Sequence, residues 1–253
     1  MILQVLGSSS SGNCYLLRSE RGGEVLALEA GVNMQRVLKA IDYNVKSLVG
    51  CCITHEHGDH AAYAVDFAKY GVPLYMTHGT SDALRNTRAA IKEIGGVTKI
   101  KYGERKKVGG FTIMPIIVQH DAKEPCGYLI RHKECGTILF ATDTYYLRYT
   151  FAGLNHIMIE CNYSERILRS CREQGLVSDS HARRIVLSHM SIDTCIDTLL
   201  ANDLSKVQTI TLLHLSDDHS NEREFISRVE SATGITTRAA RSGLEITLKR
   251  PQA

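Results

Sequence analysis

Residues 54–60, Thr-His-Glu-His-Gly-Asp-His, place three imidazoles and two carboxylates within seven positions, directly after the apolar run Leu48-Val-Gly-Cys-Cys-Ile53. Histidines at i, i+2 and i+5 share no face of a helix or a strand, so neither element explains the cluster as packing. Neutral imidazole nitrogen and carboxylate oxygen are the ligands that zinc and related borderline cations select. The segment therefore reads as part of a metal site. One loop supplies only some of the four to six ligands that one or two ions need. The fold must bring others to it from distant parts of the chain.

The remaining histidines show where those others come from. His120 follows the strand-like run Phe111–Val118, His214 follows Val207–Leu213, and His189 follows Ile185-Val-Leu-Ser188. Asp143 has the same address after Thr137-Ile-Leu-Phe-Ala-Thr142. A lone histidine after a strand is an ordinary surface residue. Four such placements beside one dense cluster point to convergence. His132, His156 and His181 read as surface residues, and Cys14 and Cys161 as small core residues.

At 253 residues and 43% hydrophobic content, the chain can bury the core of one α/β domain spanning residues 1–253. Strands are expected at 2–6, 14–18, 24–29, 48–53, 73–76, 111–118, 127–131 and 137–142, and the runs ending at Glu160 and Leu213 extend the series. Helices are expected at 33–42, 60–70, 80–94, 164–172, 191–202 and 221–233. A closing strand pair is expected from 235–238 and 244–248 about a turn at Arg241-Ser-Gly243. Strands in two blocks, each followed by helices, fit two packed sheets with helices outside. The eight cysteines are scattered, several lie in apolar strands, and no secretory leader is visible, so reduced thiols in a cytoplasmic protein are expected. No apolar run reaches membrane-spanning length. A net charge of +3 does not by itself announce a nucleic-acid binder. The basic stretches 99–107 and 166–172 read first as solvated faces.

Taken in order, Thr54–His60, His120, Thr142-Asp143-Thr144 and His214-Leu215-Ser216 resemble the motifs of the metallo-β-lactamase fold. The opening Val5–Leu16, His120-Asp121-Ala122 with Pro125 and Gly127-Tyr128, and Glu160-Cys161-Asn162-Tyr163 are similar to its YycJ (WalJ) branch, which is related to the tRNase Z and RNase J nucleases. The resemblance implies a four-layer αβ/βα sandwich with the site at one edge between the sheets. It implies two divalent ions, zinc or manganese. His55, His57 and His120 would hold one ion, Asp59, His60 and His214 the other, with Asp143 between them. A metal-bridging hydroxide would be the nucleophile, with Asp59 orienting it. Glu160 and His189 look like the pair through which such nucleases protonate the leaving alkoxide. Gly58 is expected to let the loop turn tightly. Ser10, Asn13 and Ser216 are candidate substrate contacts. Two positions depart from the pattern: Glu29 stands where Asp is usual and His219 where Asn is usual.

The function implied is a phosphodiester hydrolase, foremost a DNA exonuclease-like nuclease. A phosphodiesterase of small cyclic nucleotides would use the same groups around a closed pocket. Thioester or lactone hydrolysis needs the Glu160–His189 acid less, and a non-catalytic binding module leaves the full ligand set unexplained. The expected partner is DNA or a small nucleotide, with no membrane. A homodimer is compatible with the apolar stripes, which sequence does not separate from core faces.

Overall fold

The computed structural model describes residues 1–87 and 95–250. The chain lays down β1 (Ile2–Gly7), β2 (Cys14–Arg18), β3 (Val25–Leu28), β4 (Leu48–Cys52), β5 (Leu74–Met76) and β6 (Val97–Lys99) in one sheet. It then builds a second from β7 (Lys106–Val108), β8 (Phe111–Ile117), β9 (Cys126–His132), β10 (Gly136–Ala141), β11 (His156–Glu160), β12 (Thr209–Leu213) and β13 (Thr237–Ala239). A last strand, β14 (Glu245–Thr247), returns to the first sheet. The two seven-stranded orders are β14-β1-β2-β3-β4-β5-β6 and β13-β12-β11-β10-β9-β8-β7. In each sheet one half is antiparallel and the other parallel, β3 to β6 and β10 to β13.

Alternation along the strands explains the layers. In β10, Ile138 and Phe140 point between the sheets, where they meet Leu3, Tyr15, Leu26 and Tyr128. Leu139 and Ala141 point outward, onto helices. Strands covered on both faces read as continuous apolar runs, as these do. The outer face of the first sheet is covered by α1 (Met34–Ala40), α2 (Gly58–Ala61), α3 (Ala64–Lys69) and α4 (His78–Thr87), with Val37, Leu38, Phe67 and Leu84 in the seam. In the connection from β11 to β12 lie α5 (Glu165–Glu173), α6 (Asp179–Ser188) and α7 (Ile192–Leu200). The second sheet is covered by α7 and α8 (Glu222–Thr233), through Ile192, Leu199, Phe225 and Val229. The result is the mixed α/β arrangement with helices outside two sheets. No helix among the described residues is long and apolar enough to cross a membrane.

Several sequence expectations are corrected. The segment 185–188 is the last turn of α6, and His189 is that helix's C-terminal cap, not the residue that opens a helix. The helix expected over 60–70 divides after Ala61, where Tyr63 N–H donates to Ala30 O at 2.9 Å. The segments around 237 and 246 do not pair with each other: β13 joins β12 and β14 joins β1. Positions 88–94 of the helix expected over 80–94 lie outside the described residues. His132 and His156 are buried, not surface residues. His156 Nε2–H donates to Lys249 O at 3.0 Å and Nδ1 takes the Thr209 hydroxyl at 2.8 Å, so the ring is satisfied inside the protein. His181 is exposed, as expected, and Cys14 and Cys161 are buried.

Candidate metal centre

Apart from His189, which caps the end of α6, the residues singled out around the metal cluster sit at or past the carboxyl end of a strand or in the loop that follows, where open α/β sheets place their ligands. Glu29 follows β3, His55 to His60 follow β4, His120 follows β8, Asp143 follows β10, Glu160 ends β11 and His214 follows β12. Three of these turn inward through left-handed backbone, with φ of 67° at Glu29, 45° at Asp143 and 53° at His214. Such conformations cost about 1–3 kcal/mol each and persist where surrounding contacts over-determine them. Those contacts are present. Glu29 N–H donates to Cys52 O at 2.8 Å, Thr144 N–H to Glu160 Oε2 at 2.6 Å, and His214 N–H to Ser8 Oγ at 3.0 Å.

The side chains converge in overlapping groups. Ligand atoms of His55, His57 and His120 lie within 4.8 Å of one another, and so do those of Asp59, His60, Asp143 and His214. His120 Nε2 is 3.2 Å from His57 Nδ1 and 3.8 Å from Asp143 Oδ2. His60 Nε2 lies 3.2 Å from Asp59 Oδ2 and 3.3 Å from Asp143 Oδ2. Asp143 thus faces both groups. The far nitrogens are fixed: His120 Nδ1–H donates to Ser188 O at 2.9 Å, and Thr54 Oγ1 lies 2.9 Å from His55 Nδ1. Glu29 Oε1 stands 3.5 Å from His60 Nδ1, while its other oxygen accepts from Thr54 N–H at 3.2 Å. The longer acid in place of Asp therefore still reaches a ligand imidazole, the kind of outer contact that orients metal-binding histidines.

This donor set fits divalent cations. The buried atoms His55 Nε2 and His214 Nε2 have no hydrogen-bond partner, and both belong to the converging groups. Unpartnered buried nitrogen is costly unless something binds it. Burial pushes His55 and His120 below the ordinary imidazole range, leaving lone pairs available. Burial acts downward on His60 and His214 as well, but the carboxylates around them win. His60 is held well above its usual value and His214 is carried up to about 10. Burial raises Asp59 and Asp143, and the facing imidazoles outweigh it, keeping both ionised. Imidazole and carboxylate at this density are what a pair of cations would bind in place of protons.

Beside these groups, Glu160 Oε1 and His189 Nδ1 are 2.6 Å apart. The fully buried Glu160 also accepts from the N–H groups of Thr144 and Met190. His189 keeps 21% of its side chain exposed and stacks obliquely 5.3 Å from His214 and 5.7 Å from His120. Burial lowers the His189 imidazole, but the Glu160 carboxylate raises it more, so the ring sits above its ordinary value. The four atoms of Asp143, Glu160, His189 and His214 also lie close enough to surround an ion. With Glu160 already accepting three hydrogen bonds, that group reads instead as a held imidazole beside the two converging groups.

Of the candidate substrate contacts, Ser10 is exposed and Ser216 half-buried. Ser216 Oγ accepts from His219 N–H at 3.2 Å and faces His219 Nδ1 at 3.1 Å, so His219 closes the turn after His214. Asn13, expected at the substrate, is fully buried. Its amide lies 3.3 Å from Asp59 Oδ2 and 3.1 Å from His60 Nε2, where it positions those side chains. Gly58 opens α2 with ordinary helical backbone, and a Cβ there would meet nothing within 4 Å. The glycine that the loop requires is Gly31, where a Cβ would lie 1.7 Å from Asp59 O. Sequence reasoning missed three supports: Ser8, which holds His214, Asn162, whose amide donates to His214 O at 2.7 Å, and Ser188. Ser8 and Asn162 lay in segments already singled out, but nothing in those segments showed which partner each would meet.

The family model for the Beta-lactamase superfamily domain matches residues 29–190. Exodeoxyribonuclease YycJ of Bacillus anthracis is 26% identical, over 80% of this chain and 87% of its own. Ribonuclease J of Sinorhizobium meliloti is 32% identical over 40% of this chain, which spans only 18% of that protein. The structure of zinc-bound PqqB from Methylobacterium extorquens superposes with a TM-score of 0.75 at 14% identity, covering 98% of this chain and all of the other. That last likeness is one of fold.

Proposed function

Because the chain belongs to the beta-lactamase superfamily, as a metallo-hydrolase of that fold, we propose that residues 1–253 form a single phosphodiester-cleaving unit, a DNA exonuclease-like nuclease. The observation that carries this reading is the Glu160–His189 pair at 2.6 Å beside the ligand groups. Cleaving a phosphodiester expels an alkoxide, a poor leaving group that needs a proton. Thioester and lactone hydrolysis need one less. Likeness to Exodeoxyribonuclease YycJ supports the choice of DNA.

His55, His57 and His120 would hold one cation and Asp59, His60 and His214 the other, with Asp143 between. Zinc or manganese, both suited to nitrogen and oxygen donors, would supply Lewis acidity that lowers the pKa of a water and screens the phosphate charge. Of Asp59 and Asp143, Asp59 is the more open, 21% exposed against 4%, and directs its Oδ2 to His60 and His214. Its other oxygen, without a hydrogen bond among the described residues, would accept a hydrogen bond from the attacking water and aim it. His189, raised by Glu160, holds a proton on Nε2 for the departing oxygen, and Glu160 stabilises the imidazolium through Nδ1–H. The hydroxyls of Ser10 and Ser216 would donate to phosphate oxygens. Eight free thiols, seven of them buried, fit a reducing cytoplasm.

The test is hydrolysis by the metal-supplemented protein of a labelled DNA strand, a panel of cyclic nucleotides and a generic aryl phosphodiester, with Asp59→Ala beside wild type. DNA shortening and aryl turnover, both lost in the variant with its fold intact, are expected. Turnover of cyclic nucleotides alone, or equal turnover by the variant, would sink the reading.

A further inference from the structure

Aromatic residues make up 6% of the chain, and Phe67, Phe111, Phe140 and Phe225 are fully buried. Against that background, Tyr145, Tyr146 and Tyr149 are 41%, 49% and 47% exposed within five positions. They follow Asp143 directly. The Cα of Tyr145 lies at most about 7 Å from that of Asp143, because two residues of chain reach no further. The loop that carries the rings is anchored, not loose. Thr144 N–H donates to Glu160, its hydroxyl accepts from Gln119 N–H at 2.9 Å and donates to Tyr146 O at 2.8 Å, and Tyr145 N–H donates to Gln119 O at 3.1 Å. At the far end Phe151 N–H donates to Asn202 Oδ1 at 2.8 Å, fastening the loop to the end of α7.

Two details indicate what covers these rings. The Arg148 guanidinium carbon is 5.9 Å from the centre of the Tyr149 ring, putting a cation beside an aromatic face. A cavity of 480 Å³ opens between the loop and α7, lined by Tyr146, Tyr149, Thr194, Asp197 and Asn202 among others. Its carboxylate repels phosphate, whereas its tyrosines and amide suit a flat polar ring. Exposed aromatic faces interleaved with a cation are the arrangement that binds single strands, each base stacking on a ring while the backbone meets the positive charge. A lone cyclic nucleotide offers one base; three rings suit successive bases.

We propose that Tyr145, Tyr146 and Tyr149, with Arg148, form a stacking platform that holds the unpaired bases of a single-stranded DNA end as it enters the metal centre. The inference rests on the nuclease reading above and deepens it. It is tested by fluorescence anisotropy with the metal-loaded protein and a phosphorothioate oligothymidylate of about ten nucleotides, beside an abasic oligomer with the same number of phosphates. Because the chain contains no tryptophan, quenching of tyrosine emission on binding gives a second readout. Replacing all three tyrosines by Leu should weaken binding about tenfold or more, replacement by Phe should preserve it, and the abasic oligomer should bind wild type as poorly as the Leu variant binds thymidylate. Equal binding of abasic and thymidylate oligomers by wild type, an arm that needs no variant, overturns the platform. So does unchanged affinity in the Leu variant. Turnover of the aryl phosphodiester by the same preparation separates the two failures: if it persists without base-dependent binding, the platform alone is wrong, and if it is absent, the nuclease reading has failed.

Discussion

His189 is the residue on which the proposed chemistry turns. Its Nδ1 is committed to Glu160, and its other nitrogen makes no hydrogen bond among the described residues. Replacing it with Ala removes the proposed proton donor while leaving the converging groups in place. Turnover of DNA should fall about 10²–10⁴-fold, the range for a lost general acid, and an activated aryl ester should lose much less. Metal content by elemental analysis should stay unchanged. Equal losses on both substrates would remove the proton-donor role. At this scale the sequence was informative wherever the residue type names its own chemistry: imidazole and carboxylate at positions 55 to 60 announce ligands regardless of fold. It was uninformative where burial decides. Asn13 reads in sequence only as a substrate contact, and its buried amide beside Asp59 and His60 is set by the fold. Gly58 and Gly31 show the same limit, since the need for a missing Cβ is created by Asp59 O approaching from 28 positions away.

Elements were legible where the apolar pattern was long and failed where it was short. The strands β1, β8 and β10 and the helix α8 stand close to their expected bounds, because alternation or helical spacing ran over six or more residues. The run Ile185-Val-Leu-Ser188 is four residues of ambiguous pattern, and helix and strand are equally compatible with it. Its placement at the end of α6 was settled by Ser178, whose side chain caps the helix from the front by accepting His181 N–H. The three-residue strands β6 and β7 carry too little pattern to find. Capping also gives a test at this scale. Asn221 accepts from Glu224 N–H at 3.1 Å at the start of α8, which closes at Gly234 with φ 71°. Asn221→Ala should lower unfolding stability by about 1 kcal/mol in urea titration, and an unchanged midpoint would show that the cap contributes nothing.

At the level of the whole molecule, the two sheets are tied at the ends of interior strands as well as through their shared core. Glu134, in the turn between β9 and β10, reaches the turn between β2 and β3. There it accepts from Ser19 Oγ at 2.7 Å and from the N–H groups of Glu20 and Arg21 at 3.0 and 3.1 Å. Burial raises the Glu134 carboxyl, but these hydrogen bonds outweigh it and bring it down to about 2, from 4.5 when free. A carboxyl depressed by folding contributes stability in full above its unfolded pKa and loses it as pH falls toward the folded value. Melting temperature should therefore drop between about pH 5 and pH 2, and Glu134→Gln should flatten that part of the curve by lowering its neutral end. Parallel curves for the two proteins would mean that the clamp does not titrate.

The sequence by itself determined the α/β class, the metal-binding character of the centre and the residues able to supply it, because ligand chemistry belongs to side chains and buried strands announce themselves as apolar runs. Tertiary structure alone decided how those residues meet. It turned Glu29, Asp143 and His214 inward through left-handed backbone. It sent the last two strands to different sheets, and it set Glu160 against His189 from opposite ends of a helical excursion. The physical reason is one of range. Ligand identity and strand period are local properties, whereas a positive φ, a strand's choice of partner and a 2.6 Å contact are set by groups far away in the chain.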